Sequence, residues 1–243
     1  MMQSIADLGS ILGVWAHPDD EAFLSGGIIA AARDAGQPVA VVTATLGEQG
    51  TPDPVGCPPH QLREIRRHEL GRSLAILGVR EHRVLGYGDG GCADVAPEFG
   101  AIRIMQAIDE FEPDTVLTFG PDGYTGHPDH RAVSGWVTEA VLATNSHARV
   151  LHATAEHDFL SRFHDIHERF NVFFAGKPSV NRITDMAIHA EWGGSVLDRK
   201  VLALAAQRSQ TGSLIAELGR ARFREWVATE SFVVPALELA RSA

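Results

Sequence analysis

Five short, mostly apolar runs separated by helix-length segments constrain this chain more than any other feature. The runs are ILGVWA (11–16), PVAVVTAT (38–45), HRVLGY (82–87), DTVLTFG (114–120) and RVLHAT (149–154). Runs of this length and composition are those of strands covered by helices on both faces. Between them, EAFLSGGIIAAARDAG (21–36) reads as a helix stopped by Gly36. QLREIRRHELGRSLAILGV (61–79) sets Leu62, Ile65, Leu70, Leu74 and Leu77 at helical spacing. EFGAIRIMQAIDEFEP (98–113) is helical up to Pro113, and HRAVSGWVTEAVLATN (130–145) is helical again. The segment 47–60, rich in Gly and Pro, is a loop by composition. The alternation predicts an α/β, Rossmann-like fold: a mostly parallel sheet flanked by helices, with right-handed crossovers. Residues 155–194 break the rhythm and predict a helical insertion followed by a strand around 182–189. A helix over 196–210 and a short strand over 230–235 close the chain. At 243 residues, with no repeat or linker, the chain is expected to form a single domain, 1–243.

Composition removes several classes of function. A formal net charge of −10 argues against a general nucleic-acid binder, which shows a basic face. No run approaches the ~18 apolar residues of a membrane span. The opening MMQSIADLGS lacks the charged and apolar regions of a signal peptide, so a cytoplasmic protein is expected. Cys57 and Cys92 lie in Gly/Pro-rich surroundings, where neither a disulfide nor a cysteine-type zinc site is expected. LSGGIIAAA (24–32) and YGDGG (87–91) are glycine-rich, but neither is a phosphate-binding loop following a strand. They read as packing and turn glycines. A non-catalytic nucleotide-binding module is therefore the rival reading, and such a module would purify without stoichiometric zinc.

The chemistry lies at two predicted strand ends, where open α/β sheets bind their ligands. His17, Asp19, Asp20 and Glu21 follow the first strand; Asp122, Tyr124, His127, Asp129 and His130 follow the fourth. If the two strands are neighbours, the loops meet. Either motif alone has an ordinary reading: charge at a helix start, or a capped loop. Together they suggest a cation. Adjacent carboxylates repel, and burial raises their pKa, a cost that a divalent ion removes. His17 and Asp20, three apart, can face the same way on a first helical turn. One more nitrogen from the other loop would complete three ligands and leave a fourth position for water, as in catalytic zinc sites. Asp19 then points elsewhere and can accept a proton from that water. His127 and Asp129 form a second pair, in which the carboxylate would orient an imidazolium able to stabilise an oxyanion and protonate a leaving amine. HDIHE (164–168) has ligand-like spacing but reads as a solvated helix face. His60, His68, His82, His147, His152 and His189 have no convincing partners.

AHPDDE (16–21) together with GHPDH (126–130) resembles the PIG-L/LmbE-like family of zinc-dependent N-acetylglucosamine deacetylases. Its members include enzymes of mycothiol and bacillithiol synthesis. RRHELGRSLAILGV (66–79), ALAAQRSQTG (203–212) and ESFVV (230–234) extend the likeness over most of the chain. The resemblance implies a Rossmann-like fold with His17, Asp20 and His130 on zinc. It implies Asp19 as general base, His127 as stabiliser of the tetrahedral intermediate and Asp129 as the partner that orients His127. Arg66 matches a helix arginine that contacts substrate, Asp89 a loop acid that touches sugar hydroxyls, and Tyr124 a loop tyrosine of some members. Gln207 stands where the family often carries histidine. The implied substrate is a small N-acyl amino sugar or conjugate. The alternative is an amidase acting on a thiol conjugate or another N-acyl compound with the same catalytic residues. The ligand set also admits Fe2+, Co2+ or Mn2+, and the family admits a homo-oligomer.

Overall fold

A computed structural model of the chain describes residues 4–144 and 146–235. Its strands are β1 (Ile11–Trp15), β2 (Val39–Thr43), β3 (Glu81–Val84), β4 (Thr115–Phe119), β5 (Arg149–Ala153), β6 (Ile188–Glu191) and β7 (Thr229–Val233). They form one sheet in the order β3-β2-β1-β4-β5-β7-β6. The pairs from β3 through β5 are parallel, whereas β7 runs antiparallel to both β5 and β6. The chain thus winds outward from β1 through β2 to β3, then crosses back to lay β4 on the other side of β1. Ile11 pairs with Val39 on one flank and Thr115 on the other. That reversal opens a crevice at the carboxyl ends of β1 and β4.

The major crossover helices are α1 (Asp20–Asp34), α2 (Pro59–Leu77), α3 (Pro97–Phe111) and α4 (Pro128–Thr144). Proline in the first turn starts α2 and α3, and Gly78, at φ +84°, ends α2 in the left-handed conformation. The strands β1, β2 and β4 are buried along their whole length, which explains their unbroken apolar sequences. Trp15 packs edge-on against Phe119 across the central pair, with ring centroids 5.0 Å apart. Among the described residues, no helix is long and apolar enough to cross a membrane.

The structure departs from the sequence expectations in the last third. The insertion holds two six-residue helices, α5 (His157–Arg162) and α6 (His164–Arg169). The strand expected around 182–189 lies at Ile188–Glu191, because Ile183–Asp185 makes a 3-10 turn. The helix expected over 196–210 is two: α7 (Gly194–Ala206) and α8 (Arg208–Trp226), separated at Gln207 (φ −90°, ψ 51°).

Candidate metal centre

The crevice is built from the two loops that follow β1 and β4. After Trp15 the chain turns through Ala16–Asp19 and enters α1 at Asp20. Asp19 adopts φ +94°, a conformation that L side chains rarely take. Its N–H is fixed by Glu21 Oε2 at 3.0 Å. The loop after β4 turns through Gly123, Tyr124 and Gly126, all at positive φ. A Cβ on Gly126 would lie 2.3 Å from the Ala175 carbonyl carbon, so glycine is required where the insertion closes on this loop.

Three side chains converge in the crevice. His17 Nδ1 lies 3.1 Å from His130 Nε2, and Asp20 places Oδ2 3.7 Å from the first and Oδ1 3.5 Å from the second. All three are buried. Hydrogen bonds decide which nitrogen each imidazole presents. His130 Nδ1 donates to the Gly123 carbonyl at 2.9 Å, leaving the Nε2 lone pair facing inward. His17 Nε2 lies 3.0 Å from Asp89 Oδ1 and 3.2 Å from Asp129 Oδ2, so this nitrogen carries a proton and Nδ1 faces inward. Burial opposes charge on His17, but Asp129, Asp89 and Asp20 prevail and push it up to about 10. Burial and the neighbouring His17 push His130 down to about 4, against the pull of Asp20. Two nitrogens at 3.1 Å beside a carboxylate need something positive between them, either a proton or a metal ion. The donor set of two neutral imidazoles and a carboxylate fits a divalent metal. The ring nitrogens of His17, His127 and His130 also lie within 4.8 Å of one another, which puts His127 beside such an ion.

The remaining predicted residues gather here, several with different partners. Asp19 Oδ2 is 3.3 Å from an Arg66 guanidinium nitrogen. Burial pushes Asp19 up to about 7, Arg66 opposing and Asp20 reinforcing. Arg66 was expected to meet substrate, but it is buried and donates to the Pro18 and Gly47 carbonyls at 2.5 and 2.8 Å. It clamps the Asp19 loop. Asp89 was expected on sugar hydroxyls, yet it faces His17 and accepts the Gln49 N–H at 2.8 Å. Despite its burial, these contacts hold its carboxyl at about 2. Asp129 was expected to orient His127. Its carboxylate instead faces His17 and accepts the Gly90 and Cys92 N–H groups at 2.8 and 3.0 Å. Burial would raise Asp129, but these partners hold it below the usual carboxylate range. His127 is oriented by backbone: its Nδ1 accepts the Asp129 N–H at 3.1 Å, so the neutral ring keeps its proton on Nε2. Burial and the charge on His17 lower its pKa.

Two positions left unassigned by sequence have clear places. Glu21 is fully buried and joins three elements: it accepts the Asp19 N–H, the Ser73 hydroxyl at 3.2 Å and the Gln207 amide at 2.8 Å. Gln207 therefore braces Glu21. In HDIHE, only His164, Asp165 and Glu168 are solvated. His167 is buried, against expectation, and its Nε2 accepts the Trp226 indole N–H at 3.2 Å. It faces a cavity of about 250 Å³ that reaches Asp19, Asp20, Tyr124 and His130 at its other end. An apolar spacing around position 167 (Phe163, Ile166, Phe170) was the available signal.

A known family matches the stretch that carries both loops. The PIG-L family, described as GlcNAc-PI de-N-acetylase, matches residues 12–141, which span both loops. A probable N-acetyl-alpha-D-glucosaminyl L-malate deacetylase 2 of Bacillus cereus is 31% identical over 208 residues, covering 84% of this chain and 85% of that protein. A 1D-myo-inositol 2-acetamido-2-deoxy-alpha-D-glucopyranoside deacetylase of Corynebacterium diphtheriae is 42% identical over 141 residues. That match covers 49% of this chain and 47% of the relative, so the chain spans about half of that protein's length. The solved N,N'-diacetylchitobiose deacetylase of Pyrococcus horikoshii, in complex with its inhibitor MPG, superposes with a TM-score of 0.68. It covers 95% of this chain and 85% of that one at 23% identity, which shows a shared fold. With the family matched over more than half of its length and a relative aligned across most of it, the chain belongs to the PIG-L family of de-N-acetylases.

Proposed function

We propose that this protein is a zinc-dependent N-deacetylase acting on a small N-acetylglucosaminyl conjugate. His17, Asp20 and His130 would hold the metal. The observation that carries this reading is the pair of imidazoles whose outer hydrogen bonds turn both inner lone pairs toward one point beside Asp20. When bound, zinc supplies Lewis-acid activation of the amide carbonyl and of the attacking water. Asp19, held by Arg66, takes the proton from that water. His127 donates from Nε2 to the developing oxyanion, and His127 or Asp19 returns a proton to the departing amine. Asp89 and Asp129 keep His17 oriented, and Tyr124 borders the substrate. The products are acetate and a free amine. The names of the relatives support the glucosaminyl substrate, and two free thiols, Cys57 and Cys92, accord with a cytoplasmic setting.

The test is Asp19→Asn, with bound zinc and acetate release measured on the same preparation. Zinc should stay at the wild-type level while turnover falls by about 100-fold or more. Turnover that survives the substitution removes Asp19 from the role of base. Wild-type, zinc-loaded protein that releases no acetate from N-acetylglucosaminyl compounds overturns the activity itself.

A further inference from the structure

One peptide group of the Asp19 turn is held at both of its polar ends. The Pro18 carbonyl accepts from Arg66 of α2 at 2.5 Å, and the Asp19 N–H of the same peptide donates to Glu21 Oε2 at 3.0 Å. This peptide leads into Asp19 at φ +94°. A residue that heads a helix ordinarily has an extended backbone. A non-glycine residue keeps a positive φ only where its surroundings over-determine it. Beyond the turn α1 is already fixed, because the Asp19 carbonyl accepts the Ala22 and Phe23 N–H groups at 3.0 and 2.9 Å. So held, Asp19 sets its carboxylate 3.3 Å from Arg66, while Asp20 turns the other way and accepts the His17 N–H at 2.8 Å.

Glu21 can hold that peptide only while its own carboxylate is held. It is fully buried, and a buried carboxylate short of donors is costly. Oε2 serves Asp19; Oε1 accepts the Ser73 hydroxyl at 3.2 Å and the Gln207 amide at 2.8 Å. Gln207 Nε2 also lies 3.2 Å from Ser73 Oγ, so one of its hydrogens goes to Glu21 and the other to the serine. Gln207 is buried, and its Oε1 has no partner among the described residues. Turned over, the amide would set that oxygen against the carboxylate, so Gln207 serves here as a donor alone. Its backbone is anchored. Gln207 stands at the break between α7 and α8, where its carbonyl accepts the Gln210 and Thr211 N–H groups, each at 3.0 Å. Two residues on, the Ser209 N–H and hydroxyl both bond to Glu69 of α2, at 2.9 and 2.6 Å. The break between the helices thus aims two hydrogens at the group that holds Asp19.

We infer that Gln207 and Ser73 are positioning residues for the reaction: through Glu21 they hold the Asp19 peptide, and so aim the carboxylate that takes the proton from water. The inference rests on the deacetylase reading with Asp19 as base. Three substitutions of Gln207 or its neighbour separate it from a merely structural role. Gln207→Met keeps an unbranched side chain and removes both donors. Gln207→His places a ring N–H at the reach of the lost amide nitrogen. Ser209→Ala loosens the start of α8 and leaves every donor to Glu21 in place. Acetate release from N-acetylglucosamine and bound zinc are measured on zinc-loaded protein, and hydrogen exchange of the Asp19 amide by NMR on metal-free protein. In Gln207→Met, kcat should fall about tenfold or more while KM and zinc stay within about twofold, and the Asp19 amide should exchange about tenfold faster. Gln207→His and Ser209→Ala should stay within about threefold of wild type in every reading. Ser73→Ala, which removes one donor without touching the helix break, should lower kcat by about threefold or more. It decides by the same readings if Gln207→Met does not fold. A kcat within about twofold of wild type, or an unchanged Asp19 exchange rate, overturns the inference and leaves the deacetylase reading intact. A loss that zinc release accompanies, that Ser209→Ala reproduces or that histidine does not rescue makes the brace structural and overturns it too. Wild-type protein that releases no acetate overturns the deacetylase reading itself, an outcome the wild type alone distinguishes.

Discussion

His17 turns Nδ1 toward His130 and Asp20, the candidate metal site, because its other nitrogen is held by two carboxylates, Asp89 and Asp129. Groups of this kind, placed behind a ligand, set its tautomer and basicity. Asp129 is the better anchored of the two, with two backbone N–H groups on its carboxylate and no exposure. In Asp129→Asn the amide oxygen replaces only one carboxylate oxygen, so its NH2 opposes either the Cys92 N–H or the Gly90 N–H together with His17 Nε2–H, and the negative charge behind His17 is lost in both orientations. Zinc affinity should fall by about 10- to 100-fold, read by competition with a chelator. Unchanged affinity would show that Asp129 does not orient His17. The residue was legible in GHPDH, but its partner was not. His127 and Asp129 are two apart at a helix start, and side chains at that spacing do not face each other. The partner came from a strand end more than a hundred residues away in sequence.

At the scale of elements, α1 is joined to α7 and β7 by a buried ion pair that no motif announced. Lys200 Nζ meets Glu230 Oε1 at 2.6 Å, with both side chains fully buried. Lys200 also donates to the Phe23 carbonyl, and Glu230 accepts the N–H groups of Gly27 and Ile28, so the pair is stitched into the backbone of α1. The glycines of LSGG make room for it. A Cβ on Gly27 would lie 2.2 Å from the Trp192 indole nitrogen, and one on Gly26 would lie 3.1 Å from Lys200 Cγ. Burial lowers the Lys200 pKa, and Glu230 holds it up. Glu230→Gln should therefore cost about 3–5 kcal/mol in denaturant unfolding, because it strands a buried ammonium. Lys200→Met combined with Glu230→Gln should cost less than the sum of the single changes; strict additivity would mean that the two groups do not interact. These elements also mark where the sequence was readable. β1, β2, β4 and β5 lie within two residues of their apolar runs, since strands buried on both faces are read from composition; β3, exposed along half of its length at the sheet edge, ends three residues before its run does. The insertion was readable in kind, helix and then strand, but not in its boundaries, and α8 beyond residue 210 was not readable. The apolar residues of α5 and α6 wall a cavity as well as a core, and α8 is polar enough to be read as no element at all.

On the scale of the whole molecule, the reversal of strand order brings two remote loops together, and it sets buried histidines throughout the frame around them. His152, on β5 beside β4, is 8% exposed and its Nε2 has no partner among the described residues. Burial pushes its pKa down to about 4, with Asp122 opposing weakly. In the unfolded chain the same ring titrates near 6.5. Because the folded value is the lower one, the unfolded state takes up the proton first as pH falls. The contribution is fully present above pH about 6.5 and is lost progressively as pH falls toward 4, by on the order of 3 kcal/mol. Other groups titrate in overlapping windows. Glu21, raised to about 8 chiefly by burial, acts in the opposite sense, since its folded state favours the proton. Comparison with His152→Gln cancels those groups and isolates the histidine. The difference in unfolding free energy between wild type and variant should be constant from pH 8 to about 6.5, then shift against the wild type down to pH 4. A difference that stays flat through the lower window would mean that His152 takes up its proton as readily in the folded protein as in the unfolded chain.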